Sequence, residues 1–222
     1  MDFSGRHFEI TIILQAVRWY LAYALSYRNI EELMEERGVE VCYSTVNRWV
    51  VKYAPILAKL FENKKRKVGN RWRMDETYIK VRGQWKYLYR AVDVNGNTID
   101  FLLCAKRNKA AAYRFLRKAC ICNGKPELIN IDCSGANLAG IEAYNKMYKT
   151  GIIPRQNKYM NNIVEQDHRR IKRITKPMMG FKSFRSAQNT IAGIELIAQL
   201  KKKQFKAASH LPIHEQVDLL AA

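Results

Sequence analysis

Apolar residues in the first sixty positions recur at helical spacing. From Ile10 to Leu25 they return every three or four positions, which predicts one amphipathic helix. Ser26 stands where it can cap a second, short helix. A third helix is expected to open at 43–45 and to be interrupted at Pro55, with a last short helix ending at Phe61. The pattern therefore predicts an all-α domain over residues 1–61.

The period changes from helical to alternating at Trp72. Alternation predicts strands over 72–81, 84–94 and 98–103, joined by turns at Arg82-Gly83 and at Asn95-Gly96-Asn97. A helix is expected from about 109 to 120, followed by a short apolar strand over 128–131. Further helices are predicted over 136–148, 160–175 and 186–204.

Antiparallel strands followed by a crossover helix and a further strand are typical of an α/β domain with a mixed sheet flanked by helices. The expected domains are the helical domain 1–61, a basic linker 62–71, a sheet domain 72–205 and a weakly patterned tail 206–222.

The charge of the chain indicates a polyanionic partner. Its 222 residues include 39 Lys and Arg against 20 Asp and Glu, a formal net charge of +19. A surface this basic favours nucleic acid, although a ribosome-associated or merely basic protein has the same signature. Five cysteines without a CxxC pair, no signal peptide and no membrane-length apolar run predict reduced thiols in an intracellular, cytoplasmic protein.

The second and third predicted helices fit a helix-turn-helix DNA reader. A turn containing Gly separates them, and the third begins with Ser44 and Thr45 and carries Asn47, Arg48 and Lys52 outward. The short polar residues are expected at base edges and the cations at phosphates. An ordinary three-helix bundle with a solvated charged face fits the same pattern.

The linker is the second basic segment. Its cations are expected to lie along a phosphate backbone, and they include Lys64, Lys65 and Arg66. A solvated run of charge is the alternative.

Three acidic residues occupy positions that favour a metal site. Asp75 lies inside a predicted strand, Asp132 ends a short hydrophobic strand and Glu165 lies early in a predicted helix. A carboxylate within a sheet is costly unless it is paired or bound to a cation, and the carboxyl end of a strand in an α/β sheet is where ligands bind. Oxygen ligands suit hard divalent cations. Glu76 is nearly as good a candidate as Asp75, and an ion pair, a turn residue and a helical salt bridge would explain the three acids separately.

Basic residues follow Glu165 on the same predicted helix. His168, Arg169 and Lys172 stand three, four and seven positions later and share its face. They are expected to hold DNA phosphates near the metal site.

Several segments together resemble the IS6 family of insertion-sequence transposases. They are 73–81 (RMDETYIKV), 85–93 (WKYLYRAVD), 131–132 (ID), 159–169 (YMNNIVEQDHR) and 180–184 (GFKSF). The resemblance extends through the N-terminal helices and misses only the tail.

The resemblance implies a ribonuclease-H-like catalytic domain with the catalytic and metal-binding triad Asp75, Asp132 and Glu165, and selects Asp75 over Glu76. It implies two Mg²⁺ or Mn²⁺ ions, and Lys172 matches the basic residue that positions terminal DNA. Such an enzyme binds terminal inverted repeats, nicks their 3′ ends and joins them to target DNA, typically forming cointegrates. A homodimer or larger assembly on double-stranded DNA in the bacterial nucleoid is expected.

Two other classes fit part of the pattern. One is a catalytically inactive, transposase-derived DNA-binding protein that acts as a repressor or inhibitor. The other is a structure-selective RNA nuclease of the same fold, which leaves the helix-turn-helix unexplained.

Overall fold

The computed structural model describes Met1, residues 7–157 and residues 162–222. The chain divides into two units, one of Met1–Arg66 with Ile171–Ala222 and one of Lys67–Arg170. Tyr159, Met160 and Asn161 of the family-like segment lie outside the described residues.

The first unit is built from helices. It contains α1 (Ile10–Ala22), α2 (Tyr27–Glu35), α3 (Tyr43–Glu62), α7 (Phe184–Lys201) and α8 (Ile213–Ala221). Ser26 caps α2 as predicted: its hydroxyl accepts from the Asn29 backbone N–H, and the Asn29 side chain accepts from the Ser26 N–H. This reciprocal pairing satisfies two donors that a helix start leaves without partners.

The predicted break at Pro55 is wrong, because α3 continues through it to Glu62. Proline lacks the N–H that would bond to the carbonyl four residues earlier, which is that of Val51. The Asn189 side chain supplies the missing donor, with its Nδ2 3.0 Å from the Val51 oxygen. Buried side chains on both sides of the proline, Tyr53 and Leu57, fix the helix by packing.

The C-terminal region belongs to the same compact unit as the N-terminal helices. Residues 171–205, expected in the sheet domain, group with the N-terminal helices. The tail contains α8, whose Val217 and Leu220 are buried. The linker is held by a β-bridge between Lys65 and Phe205. These pairings link distant parts of the chain, so a local pattern does not reveal them.

The second unit contains a mixed five-stranded sheet, which confirms the predicted α/β class. Its strands are β1 (Arg71–Val81), β2 (Gln84–Asp93), β3 (Thr98–Cys104), β4 (Leu128–Ile131) and β5 (Ile153–Gln156). They lie in the order β3-β2-β1-β4-β5, with β1 to β3 antiparallel and β4 and β5 parallel to β1. The edge strand β5 was not predicted.

Helices α4 (Lys109–Asn123) and α5 (Gly135–Tyr148) belong to this unit, and α6 (Asn162–Thr175) begins in it. The core joins Trp72, Met74 and Tyr89 of the sheet to Phe115 of α4 and Ile141 of α5. This packing covers one face of the sheet at the start of β1 and the end of β2. None of the helices in the described part of the chain has the length and hydropathy that a membrane span requires.

Candidate active site

Three carboxylates converge where β1 and β4 lie side by side. The parallel register pairs Arg73 with Asn130, so two residues further along both strands Asp75 comes level with Asp132. One carboxylate oxygen from each of Asp75, Glu76 and Asp132 lies within 4.8 Å of the other two. The fold thus brings two of the three predicted acids together, and adds Glu76.

Two further side chains hold this acidic group. The Arg107 guanidinium donates to Glu76 at 3.1 Å and to Asp132 at 3.2 Å, so one cation bridges two of the carboxylates. The buried Asn137 amide lies 3.3 Å from Glu76 and 3.5 Å from Asp132. The Ser134 backbone N–H donates to Asp132 at 3.1 Å. These bonds orient the carboxylates toward one another despite their mutual repulsion.

The pKa shifts agree with this charge balance. Burial raises the pKa of Glu76 above its ordinary value, although Arg107 and Asn137 act in the opposite direction. Burial lowers the pKa of Arg107, and the carboxylates of Glu76 and Asp132 more than offset that effect, so its pKa is raised overall. The cluster of the three carboxylates is therefore stabilised by a nearby positive charge, which Arg107 supplies.

A buried hydrogen-bonded chain ends on Asp75. Arg90, 0% exposed, donates to Asp167 at 2.7 Å and lies 3.4 Å from Nδ1 of His168. A guanidinium only donates, so Nδ1 accepts and the ring proton lies on Nε2. Nε2 in turn donates to Asp75 at 3.1 Å. His168, expected to contact DNA, is instead 6% exposed and orients the Asp75 carboxylate.

Glu165 is not part of the three-carboxylate group among the described residues. It lies exposed in the first turn of α6, three residues before His168. Residues three apart lie on one helix face, about 5 to 6 Å between Cβ atoms. Glu165 therefore lies one helical turn from the residue that contacts Asp75.

The other predicted DNA contacts lie mainly at the protein surface. Lys64, Arg66, Arg169 and Lys172 are exposed, and Lys65 is half-buried in its bridge.

In the helical unit, Ser44 and Arg48 in the first turns of α3 and Lys52 near its middle are exposed, while Thr45 and Asn47 are half-buried. Arg48 donates to the Thr45 hydroxyl at 2.9 Å. Ser44, Asn47 and Arg48 line a groove of about 1070 Å³ whose other wall comes from residues 174–186. Three of the five predicted readers therefore line one groove.

Sequence reasoning missed Arg107, Asn137 and the Arg90–Asp167 pair. Arg107 is one cation among 39 Lys and Arg, in the loop between β3 and α4. For the buried hydrogen-bonded chain the one available signal was Arg90, a charged residue among the apolar residues of β2. A buried charge needs a partner of opposite charge.

Comparison with known proteins identifies the class. A family model described as a DDE domain matches residues 69–204. The model of the IS66 transposase family matches residues 8–126. Together with the mixed sheet and its paired aspartates, these matches define an enzyme of the DDE transposase class.

Two relatives of similar length specify the family. The transposase for the insertion sequence-like element IS431mec of Staphylococcus aureus is 40% identical over 99% of both chains. The transposase of IS257 in transposon Tn4003 from the same species is also 40% identical over 99% of both chains. The chain belongs to the IS6 family of insertion-sequence transposases.

Solved structures show weaker likenesses. The catalytic core domain of BIV integrase matches at 19% identity and TM-score 0.44, covering 58% of this chain and 83% of that chain. A simian T-cell lymphotropic virus intasome in complex with a PP2A regulatory subunit matches at 14% identity and TM-score 0.47. The match covers 75% of this chain and 67% of that chain.

Proposed function

We propose that this transposase binds the terminal inverted repeats of its element, nicks their 3′ ends and transfers those ends to target DNA, forming cointegrates. The observation that carries the proposal is the meeting of Asp75 and Asp132 on neighbouring strands. Paired carboxylates of this kind serve phosphoryl transfer.

The donor set fits divalent metal. Carboxylate oxygens are the ligands that Mg²⁺ and Mn²⁺ prefer, and the acidic group already attracts the Arg107 cation. In this proposal Asp75, Asp132 and Glu165 hold two ions. Bound there, the ions would activate the attacking oxygen and stabilise the leaving oxygen.

The remaining roles belong to residues of the chain. His168 keeps one oxygen of Asp75 oriented through its Nε2 proton. Arg169 and Lys172, both exposed on α6, bind phosphates of the terminal DNA.

The helical unit and the linker supply the longer contact with DNA. In the proposal, Ser44, Thr45 and Asn47 read base edges of the inverted repeat, while cations hold the backbone. Those cations are Arg48, Lys52, Lys64, Lys65 and Arg66. Because two element ends must be brought together, the working form is a homodimer or larger.

Strand transfer tests the proposal directly. The purified protein is mixed with a labelled duplex carrying the inverted repeat that flanks its gene, a supercoiled target and Mg²⁺ or Mn²⁺. Joined product is expected with metal, and none with EDTA or with Asp132→Asn. Glu142→Gln, which changes an exposed acid of α5, is the matched control and retains activity.

Two further variants define the third ligand. Glu165→Gln is expected to abolish joining, whereas Glu76→Gln, which removes a partner of Arg107, retains joining at a reduced rate. The reverse order of effects would replace Glu165 by Glu76 in the proposed triad. Repeat binding without any joining, under conditions where a relative is active, would indicate the catalytically inactive DNA-binding derivative instead.

A further inference from the structure

The outer half of the β1–β2 hairpin carries aromatic side chains that strand transfer, as proposed above, leaves without a role. Tyr78 lies 5.4 Å from Tyr87 and 6.3 Å from Trp85 between ring centroids. These three rings, the aromatic face, are on one side of the sheet, because the register places Tyr78 opposite Tyr87 and Lys80 opposite Trp85. Trp85 is 61% exposed and Tyr78 is 48% exposed.

The aromatic face begins beside the acidic group. Glu76 and Tyr78 are two residues apart on β1 and point to the same side of the strand. Lys80, opposite Trp85, is about 13 Å from Glu76 at 3.3 Å per residue, the rise of roughly four stacked nucleotides. A strand of DNA that leaves the acidic group in this direction therefore runs over these rings.

The charge of the hairpin favours the same occupant. From residue 77 to residue 92 the sequence contains no acid, and the cations of the outer half of the hairpin are Lys80, Arg82 and Lys86. Lys80 and Arg82 are exposed, and Lys80 projects on the side of the aromatic face. Exposed rings flanked by cations are how proteins bind unpaired nucleic acid: the rings stack on bases and the cations follow phosphates.

We propose that the aromatic face binds an unpaired stretch of the DNA strand next to the reacting end, with bases stacked on Tyr78 and Trp85. The proposal rests on the transposase function above and names a strand state that function does not specify. Duplex fits less well, since its base faces are already covered by neighbouring bases. A second copy of the chain also fits less well, because a symmetric contact would set this cationic hairpin against itself.

Binding to single-stranded DNA in EDTA tests the proposal without any cutting. The full-length protein is titrated with a labelled single-stranded oligodeoxynucleotide of mixed sequence, and separately with its duplex. Trp85→Ala is expected to weaken single-strand binding by about 5- to 150-fold, the loss of one stacked base. Trp85→Phe, which keeps a ring, stays within a few-fold of the parent.

The matched control is Tyr148→Ala, which removes another exposed aromatic ring of the same unit. It is expected to leave single-strand affinity unchanged. Acrylamide quenching gives a second readout, since Trp72 and Trp49 are buried and Trp85 is the most exposed of the four tryptophans. Single-stranded DNA should protect the emission that Trp85→Ala removes.

Three results would overturn the proposal. They are unchanged single-strand affinity in Trp85→Ala, an equal loss for duplex and single strand, and dissociation of an oligomer by Trp85→Ala with single-strand affinity unaltered. The last would make the aromatic face an interface between copies.

The two proposals fail separately. If the parent protein joins no DNA ends but Trp85→Ala still loses single-strand binding, the proposed strand-transfer function is refuted and the proposed role of the aromatic face is supported. If joining depends on Asp132 while Trp85→Ala binds single strands normally, the converse holds.

Discussion

Removing Asp167 is expected to destabilise the sheet unit through the charge that it leaves behind. In Asp167→Ala, the guanidinium of Arg90 stays buried at 0% exposure and loses the carboxylate 2.7 Å away. Breaking a buried ion pair from one side costs about 3–5 kcal/mol, because the remaining ion loses its nearest opposite charge without regaining water. At about 2–4 °C per kcal/mol for a chain of this size, Tm should fall by roughly 6–20 °C.

The double replacement separates charge from shape. Arg90→Met with Asp167→Leu removes both charges and keeps apolar volume, and substitutions of this kind in buried pairs are often neutral or stabilising. The double variant is therefore expected to be more stable than Asp167→Ala. Glu215→Ala is the exposed control: it breaks a pair with His214 at 3.8 Å, and should change the free energy of unfolding by less than about 1 kcal/mol.

Urea denaturation followed by circular dichroism and tryptophan emission measures these free energies, and Trp72 reports on the sheet unit because it is buried there. If Asp167→Ala and the double variant lose the same stability, the orphaned-charge argument is refuted. Loss of packing around position 167 would then be the cause.

Two further predictions concern packing and thiol reactivity. A Cβ at Gly140 would lie 2.6 Å from that of Ala112, so Gly140→Ala should lower the free energy of unfolding by about 1–3 kcal/mol in urea titrations. A Cβ at Gly135, in the same helix, would have no atom within 4 Å, so Gly135→Ala should leave the free energy of unfolding unchanged. Equal losses in the two variants would contradict the steric explanation. Burial raises the pKa of the Cys120 thiol to about 11, so about a thousandth is thiolate at pH 8. Iodoacetamide should label exposed Cys133 well before Cys120 in peptide mass mapping, and equal rates would refute this.

The local sequence pattern was sufficient to predict most strands of the sheet. It was insufficient for elements that form because residues distant in sequence pair with them. Alternation located β1, β2 and β3 to within about a residue, and a short apolar run located β4. The strand β5 contains Pro154 and polar residues, and parallel pairing with β4 rather than its own pattern makes it a strand. The continuity of α3 depends on Asn189, a residue 138 positions from Val51.

The acidic site shows the same division. The positions of Asp75, Asp132 and Glu165 predicted a metal site formed by these three acids. The structure instead groups Asp75 and Asp132 with Glu76, which strict alternation puts on the opposite side of β1 from Asp75. Helical spacing correctly placed His168 on the face of Glu165. Helical spacing does not show which residues pack against that face, so the hydrogen bond between His168 and Asp75 was not predicted.

The discontinuous make-up of the helical unit has a consequence for synthesis on the ribosome. Its first part ends at Arg66 and its second begins at Ile171, roughly a hundred residues later. At about 5–20 residues per second, the emerging α3 waits several seconds or more before Asn189 can cover the Val51 carbonyl. The sheet unit, which is continuous in sequence, can be complete before the helical unit that flanks it in the gene has finished folding.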